Sequence, residues 1–308
     1  MMVGLSGKRC VVLGGGGFIG TNLRVALQKA GAVVTGYGRR PRFAVEAGKW
    51  VDGDFADREA MAHAIAGATH VFHLIGSADP GQSNLDPGLD ARTHVPASIA
   101  VLEACRDANV EKLLFLSSGG TVYRPGLPLP IAEDAPTDPI SAYGIGKLTV
   151  EKYCALFRRL FGLDTVVLRI ANPYGPFQCP HRGQGFVAKL LYRALNGEPV
   201  QIWGDGQIVR DYVYVDDVIQ AILAAAVRHG QVEPINVGSG VGRSLRDVVL
   251  DVERLLERRI DVSFEVGRAA DTPANVLDIR RAVVELDWAP RQPWINGLRL
   301  THDWLITA

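Results

Sequence analysis

Three glycines, Gly14, Gly17 and Gly20, fall at G-x-x-G-x-x-G spacing between the β-branched run RCVVLG (Arg9–Gly14) and the amphipathic segment FIGTNLRVALQKAG (Phe18–Gly31). No other feature constrains the chain as tightly. A strand that passes into a helix through such a turn presents backbone N–H groups at the helix N-terminus, where the helix dipole favours a phosphate. Glycines let the turn close and let the backbone approach a pyrophosphate. Alone the pattern is weak. In a strand–turn–helix context, early in a βαβ unit, it predicts a dinucleotide site, with Phe18 and Ile19 at the head of the helix as further contacts.

The alternation continues. AVVTGY reads as a second strand, AMAHAIAG as a helix, THVFHLIG as a third strand and PASIAVLEACRDANV as a helix. EKLLFLSS is a fourth strand, AYGIGKLTVEKYCALFRRLFG a helix, and DTVVLRI a fifth strand. This rhythm predicts a parallel sheet with helices on both faces. From Ala171 it changes. ANPYGPFQCPHRGQG reads as a loop, FVAKLLYRALNGE as a helix, VQIWG as a strand, and YVYVDDVIQAILAAAV as a strand and core helix. The expected architecture is a Rossmann-type α/β fold, a doubly wound parallel sheet with a smaller C-terminal substrate-binding lobe. Residues 1–170 plus about 211–235 would bind the dinucleotide, and about 171–210 plus 236–308 would form the lobe.

Charge narrows the partner. The 33 Lys and Arg balance 33 Asp and Glu, so there is no general pull towards nucleic acid or anionic membrane, and a small molecule is expected. The N-terminal MMVGLSGKRCVVLGG has no long apolar leader, and no apolar run reaches the roughly 18 residues that span a bilayer, so the expected location is cytoplasmic. Cys10, Cys105, Cys154 and Cys179 are scattered, with no CxxC pair; free thiols and no metal are expected.

An NAD site normally places an acidic residue at the end of the second strand. Here that end reads GYGRRPR: Gly38 takes the position and Arg39 and Arg40 follow, which suits a 2′-phosphate and keeps NADP open beside NAD. Asp54 and Phe55 in GDFAD, and Leu74 in HLIG, complete the candidate cofactor contacts; Asp54 reads equally well as a turn residue.

Tyr143 and Lys147 form Y-G-I-G-K. At i and i+4 they share a helical face, about 6 Å apart along the axis. A tyrosine acting as a base near pH 7 needs its pKa lowered by about 3 units, worth roughly 4 kcal/mol. A neighbouring ammonium and a nicotinamide cation both favour the phenolate. Gly144 and Gly146 weaken this helix; a close approach by cofactor or substrate would explain them.

With these motifs assembled, the chain resembles the extended short-chain dehydrogenase/reductase family, in particular its NAD-dependent nucleotide-sugar epimerase/dehydratase group. The resemblance spans nearly the whole length. It rests on GGGGFIG (Gly14–Gly20), HLIG (His73–Gly76), SSGGTVY (Ser117–Tyr123), YGIGK (Tyr143–Lys147), NPYGP (Asn172–Pro176), WGDGQIVRDYVYVDDV (Trp203–Val218) and INVGSG (Ile235–Gly240). It implies a tightly bound NAD and a UDP-sugar substrate that is epimerised at C4. Tyr143 would take the proton of the 4-hydroxyl while the 4-hydrogen leaves to the cofactor as hydride, and Lys147 would hold the cofactor ribose and lower the Tyr pKa. The 4-keto sugar would then turn, and hydride would return to its other face.

The resemblance also assigns substrate contacts. Asn172 and Arg210 would meet the diphosphate, Arg268 a second phosphate oxygen and Asp271 the nucleotide ribose. Gln201 and Trp203 in VQIWG would flank the base. Asn275 falls where a bulky tyrosine can restrict the sugar pocket, so an N-acetylated sugar is a candidate, and His181 and Arg182 are candidates for meeting a C6 carboxylate. A homodimer through the helices at about Pro96–Asn109 and Ala142–Phe161 is implied, with Leu148, Cys154, Leu156 and Phe157 as apolar positions.

The departures are concentrated in LFLSSGGTVYRP (Leu114–Pro125). Family members often carry a catalytic hydroxyl where this chain has Gly119; Ser118 and Thr121 are the nearest replacements, Thr121 first. The acidic pair of sugar dehydratases is replaced by Gly120 and Thr121, which disfavours 4,6-dehydration. Two other readings stand beside the epimerase: an NADPH-dependent keto-sugar reductase, favoured by Gly38-Arg39, and a non-catalytic redox-sensing dinucleotide-binding protein.

Overall fold

The apolar runs of the first half of the chain become strands covered on both faces, as parallel strands usually are. They are β1 (Arg9–Leu13), β2 (Val33–Gly38), β3 (Lys49–Asp52), β4 (His70–His73), β5 (Lys112–Ser118) and β6 (Thr165–Ile170). The structure, a computed structural model, describes residues 4–76, 83–181, 185–228, 234–267 and 272–307. A late strand, β10 (Ile235–Val237), completes a seven-stranded parallel sheet of order β10–β6–β5–β4–β1–β2–β3. The chain winds outward from β1 to β3, then returns to β4 on the other flank of β1. The strand order reverses there, and the crevice at the carboxyl ends of β1 and β4 is where such sheets bind ligands.

The crossover helices are α1 (Phe18–Lys29), α2 (Arg58–Ile65), α3 (Pro87–Arg92), α4 (His94–Asp107) and α5 (Ala142–Phe161). One face of the sheet packs Val11, Leu13, Val71 and Phe115 against Met61, Val101, Leu102 and Phe157 of α2, α4 and α5. The other packs Val12, Phe72, Leu114 and Leu168 against Leu23 and Leu27 of α1 and continues into the second lobe. Ser141 caps α5, its Oγ accepting from Gly144 N at 3.1 Å, and Gly162 ends it in the left-handed region at φ 69°.

The second lobe contains β7 (Asn172–Tyr174), α6 (Phe186–Leu195), β8 (Val200–Trp203), β9 (Val209–Tyr214), α7 (Val215–Val227), β11 (Gly242–Ser244), α8 (Leu245–Leu256), β12 (Val262–Glu265), β13 (Ala274–Asn275), α9 (Arg280–Leu286) and α10 (Trp294–Thr307), although α7 packs back on α1 and the large sheet. β9 is central to a small sheet, flanked by β11, β13 and β7, while β8 pairs with β12. The fully buried Asp211 carboxylate of β9 accepts from Ser239 N (2.7 Å), Ser239 Oγ (2.6 Å), Gly240 N (3.1 Å) and Leu277 N (3.2 Å). The connection from β5 to α5 is stitched to this lobe: Ile131 N donates to Val276 O at 2.8 Å, and Asp278 N donates to Ile131 O at 2.8 Å.

One expectation shifts. KWVD (Lys49–Asp52) is a strand that the sequence reading missed, because four residues with exposed ends carry little pattern. The chain passes between the sheets at the β9–α7 junction, and β10 returns it to the large sheet. Asp216 and Asp217 mark the first turn of α7 just past this crossing. Among the described residues no helix is long and apolar enough to cross a membrane.

Candidate active site

The glycine turn lies at the reversal point of the sheet. Gly14 has φ +82°, and Gly17 is the N-cap of α1 with no side-chain cap, so the first N–H groups of that helix, including those of Phe18 and Ile19, have no capping side chain. A Cβ at Gly20 would lie 2.3 Å from Gly14 O, so α1 can reach the turn only with glycine there. On the other side a Cβ at Gly14 would meet Ile75 Cγ1 at 3.1 Å, and Leu74 N donates to Leu13 O at 3.1 Å. The result is a cradle of uncapped donors between β1 and the turn after β4, which fits a dinucleotide pyrophosphate.

The remaining cofactor candidates divide. Arg39 is exposed beyond the end of β2. The Asp54 carboxylate accepts from Ala56 N at 2.8 Å and its carbonyl accepts from Tyr37 Oη at 2.8 Å, a turn geometry that leaves the exposed carboxylate at the end of the sheet. Phe55 packs inward, its ring 5.4 Å from that of His73 and 6.1 Å from that of His94.

Tyr143 and Lys147 both face the turn after β4: a Cβ at Gly76 would be 3.7 Å from Lys147 Nζ and 3.8 Å from Tyr143 Cε2. Lys147 Nζ donates to Leu116 O at 2.9 Å and Ile75 O at 3.5 Å, above the Phe115 ring at 4.8 Å and 5.7 Å from the Tyr143 ring centre. Burial lowers Lys147 to about 8, opposed by Asp90 and Glu151. Burial raises Tyr143 to about 12, and Asp90 adds to the rise. The chain's own groups therefore leave Tyr143 a phenol at neutral pH; a cation bound beside it works in the opposite direction.

Of the two helix glycines, Gly144 has a cause within the chain itself. A Cβ at Gly144 would lie 2.4 Å from Thr121 O, so the close approach is by the chain's own backbone. At Gly146 the neighbours are Asp90 and His94, at ordinary contact distances of 3.7–3.8 Å.

At the end of β5, a Cβ on Gly119 would fall 2.5 Å from Leu277 Cδ1 and 3.1 Å from Arg169 O. A hydroxyl-bearing side chain here would press on Leu277, which would have to shift. Thr121 Oγ1 is buried and has no hydrogen-bond partner among the described residues, while Ser118 is half-buried on the same turn. Asn275 is 3% exposed; its Nδ2 donates to Gly119 O at 3.1 Å and its Oδ1 is unpartnered among the described residues.

The other substrate candidates sit on the second lobe. Asn172 Nδ2 donates to Asp211 O at 3.1 Å, and Arg210 Nη1 donates to Thr272 O at 2.7 Å. Gln201 and Trp203 share the exposed face of β8, with Gln201 Nε2 donating to Glu265 Oε1 at 3.0 Å. His181 is exposed and lies edge-on to Tyr192 at 4.6 Å. Arg182, Arg268 and Asp271 lie outside the described residues.

Sequence reasoning missed the groups behind Lys147. Asp90 on α3, His94 on α4 and His73 on β4 are buried. Glu151 binds Arg169 at 2.7 Å, both nearly sealed from solvent. His94 lies four residues after Asp90, but only the folded packing brings both against Gly146. All four cysteines are free thiols, and no cluster able to hold a metal ion occurs among the described residues.

Residues 10–238 match the model of the NAD dependent epimerase/dehydratase family. The chain is 36% identical over 233 residues to a UDP-glucose 4-epimerase of Mycolicibacterium smegmatis, covering 76% of this chain and 74% of that one. Its fold superposes with TM-score 0.93 on a Thermotoga maritima UDP-glucose 4-epimerase crystallised with UDP-glucose (34% identity, 97% and 99% of the two chains). The Thermus thermophilus UDP-glucose 4-epimerase in complex with NAD gives TM-score 0.91 at 32% identity, over 98% of this chain and all of that one.

Proposed function

The chain belongs to the NAD dependent epimerase/dehydratase family, and we propose that it is a nucleotide-sugar 4-epimerase acting on UDP-hexoses, with NAD held in the Gly14–Gly20 cradle. One observation carries the reading: Tyr143 and Lys147 stand together against the turn after β4, with the Thr121 backbone packed on Gly144 beside them. When bound, NAD supplies a reversible acceptor for the sugar C4 hydrogen.

The chain's residues handle the proton and the geometry. Tyr143 Oη takes the proton of the 4-hydroxyl and returns it, so the substrate passes through a 4-keto sugar. Lys147, fixed by the Leu116 carbonyl, orients the cofactor ribose and contributes positive charge near the phenolate. Thr121 Oγ1, which has no other partner among the described residues, hydrogen-bonds the sugar 4-oxygen. Asn172 and Arg210 meet the diphosphate, with Arg268 and Asp271 completing the nucleotide site; Gln201 and Trp203 flank the base. Gly120 and Thr121 offer no acid to expel a C6 hydroxyl, which argues against 4,6-dehydration.

Purified protein incubated with UDP-glucose and no added cofactor should form UDP-galactose, and denaturation should release NAD detectable by mass spectrometry. Tyr143→Phe should lower turnover by about 10²–10⁴-fold. Unchanged turnover in that variant overturns the base assignment. Asn275 is smaller than the tyrosine that the resemblance allows at this position, so UDP-GlcNAc belongs in the same assay, with UDP-GlcA alongside it.

A second reading, an NADPH-dependent keto-sugar reductase, is favoured by Gly38 and Arg39 at the end of β2. Stoichiometric consumption of NADPH, with no bound NAD, would establish it. The protein is further proposed to act as a homodimer through α4 and α5. On α5, Leu156 and Leu160 are 43% and 60% exposed, whereas Cys154 and Phe157 are buried within the subunit. Sedimentation at micromolar concentration tests this, and a monomer there would refute it.

A further inference from the structure

Both carboxylate oxygens of Asp90, both ring nitrogens of His94 and Nδ1 of His73 are buried without a hydrogen-bond partner among the described residues. They gather beside Lys147. Asp90 Oδ2 and His94 Cδ2 lie 3.7 and 3.8 Å from the point where a Gly146 side chain would begin, one residue before Lys147, and the His73 and His94 rings are 6.1 Å apart. A buried carboxylate with no partner is costly, so packing alone gives no account of Asp90.

Among the described residues, the charges around it leave one counterpart. Glu151, the other acid acting on Lys147, is committed to Arg169 and Ser117. Arg92 on α3 is turned outward onto Asp86 at 2.9 Å. From α5 come Tyr143 and Lys147, from α4 His94, from β4 His73, and from β6 Arg169, which Glu151 already neutralises. Lys147 has three N–H donors, and the Leu116 and Ile75 carbonyls take two. Water held by several polar partners is the usual occupant of such a site, and Asp90, His94 and the third Lys147 donor provide them.

We infer that Asp90 is a positioning residue for the Tyr143–Lys147 pair: its carboxylate is the counter-charge of the Lys147 ammonium, joined to it through water that the His94 ring also holds. This rests on Tyr143 being the base and adds the group that sets the charge of its partner. Neutralising Asp90 makes Lys147 harder to protonate and Tyr143 easier to deprotonate. Activity needs a protonated Lys147 and a deprotonated Tyr143, so both limbs of the pH–kcat profile move to lower pH.

The test compares Asp90→Asn and Asp90→Glu, as NAD-containing proteins, by kcat for UDP-glucose across pH and by NMR of the Lys147 resonance after ¹³Cε-lysine labelling. Asp90→Asn should move both limbs and the Lys147 midpoint down by about one pH unit, while Asp90→Glu keeps them near the wild-type positions. Unmoved midpoints in Asp90→Asn, or equal shifts in both variants, overturn the inference. If Asp90→Asn does not fold, Asp90→Ser takes its place; if both neutral variants collapse while Asp90→Glu stands, the carboxylate is structural and the inference fails. Absence of turnover on any UDP-hexose counts against the epimerase reading instead, and the Lys147 resonance then still decides the role of Asp90.

Discussion

Asn275 Nδ2 donates to the Gly119 carbonyl at 3.1 Å, so a residue of the small lobe holds the turn that ends β5. Leu277, two residues further on, fills the space above Gly119. Restoring a hydroxyl by Gly119→Ser therefore drives Cβ into Leu277. The expected loss is roughly 1–3 kcal/mol of stability, as for other overpacked sites. Urea titration should show it, and Leu277→Val added to Gly119→Ser should recover part of it.

Thr121→Val separates chemistry from stability. The hydroxyl has no hydrogen-bond partner among the described residues, so its removal should leave the unfolding free energy within about 0.5 kcal/mol of wild type. Turnover should fall by about 10–100-fold if that hydroxyl meets the developing charge on the sugar oxygen. Ser118→Ala should fall less. Thermal melts and kcat measured on the same preparations check both parts, and intact turnover in both variants would leave Tyr143 without a hydroxyl partner.

Glu151→Gln tests the buried pair behind the site. Glu151 and Arg169 are 3% and 4% exposed and meet at 2.7 Å, with Arg169 also donating to Tyr123 Oη at 3.0 Å. Removing one charge strands the other, at a cost of about 3–5 kcal/mol. Replacing both with apolar residues of similar size should restore much of that loss, measured by chemical denaturation.

Acid should weaken the fold through its buried histidines. Burial lowers His94 to about 3 and holds His73 well below its ordinary value; Lys147 depresses both further, and His94 also acts on His73. Above about pH 6.5 both folded and unfolded histidines are neutral and nothing is lost. As pH falls below that, the unfolded chain binds protons that the folded one refuses. Stability then drops by roughly 1 kcal/mol per pH unit for each such histidine, continuing towards the folded value of His94. Melting temperatures from pH 7.5 to 5 should decline, and less steeply in His94→Asn.

The parts of the site that could be read from the sequence are those made by short spacings. The glycine turn and the Tyr143–Lys147 pair are each complete within a few residues, so their spacing carries their geometry. The Asn275–Gly119 bond joins positions 156 residues apart, and no local pattern announces it. Asp90 and His94 meet Gly146 only because α3, α4 and α5 pack together. The same holds for Gly144: the sequence shows that a side chain is missing, but only the fold shows that Thr121 O occupies its place. β3 was missed because four residues are too few to display a period.

The seam that the small lobe makes with the turn after β5, through Asn275 and Ile131, bears on what becomes of an unfinished substrate. Thr121 is pinned on one side to the helix that carries Tyr143, and the turn before it on the other side to Asn275. In the proposed mechanism the 4-keto sugar turns beside this twice-held turn, so loosening it, as by Asn275→Ala, should let more of the reactive ketone escape to solvent.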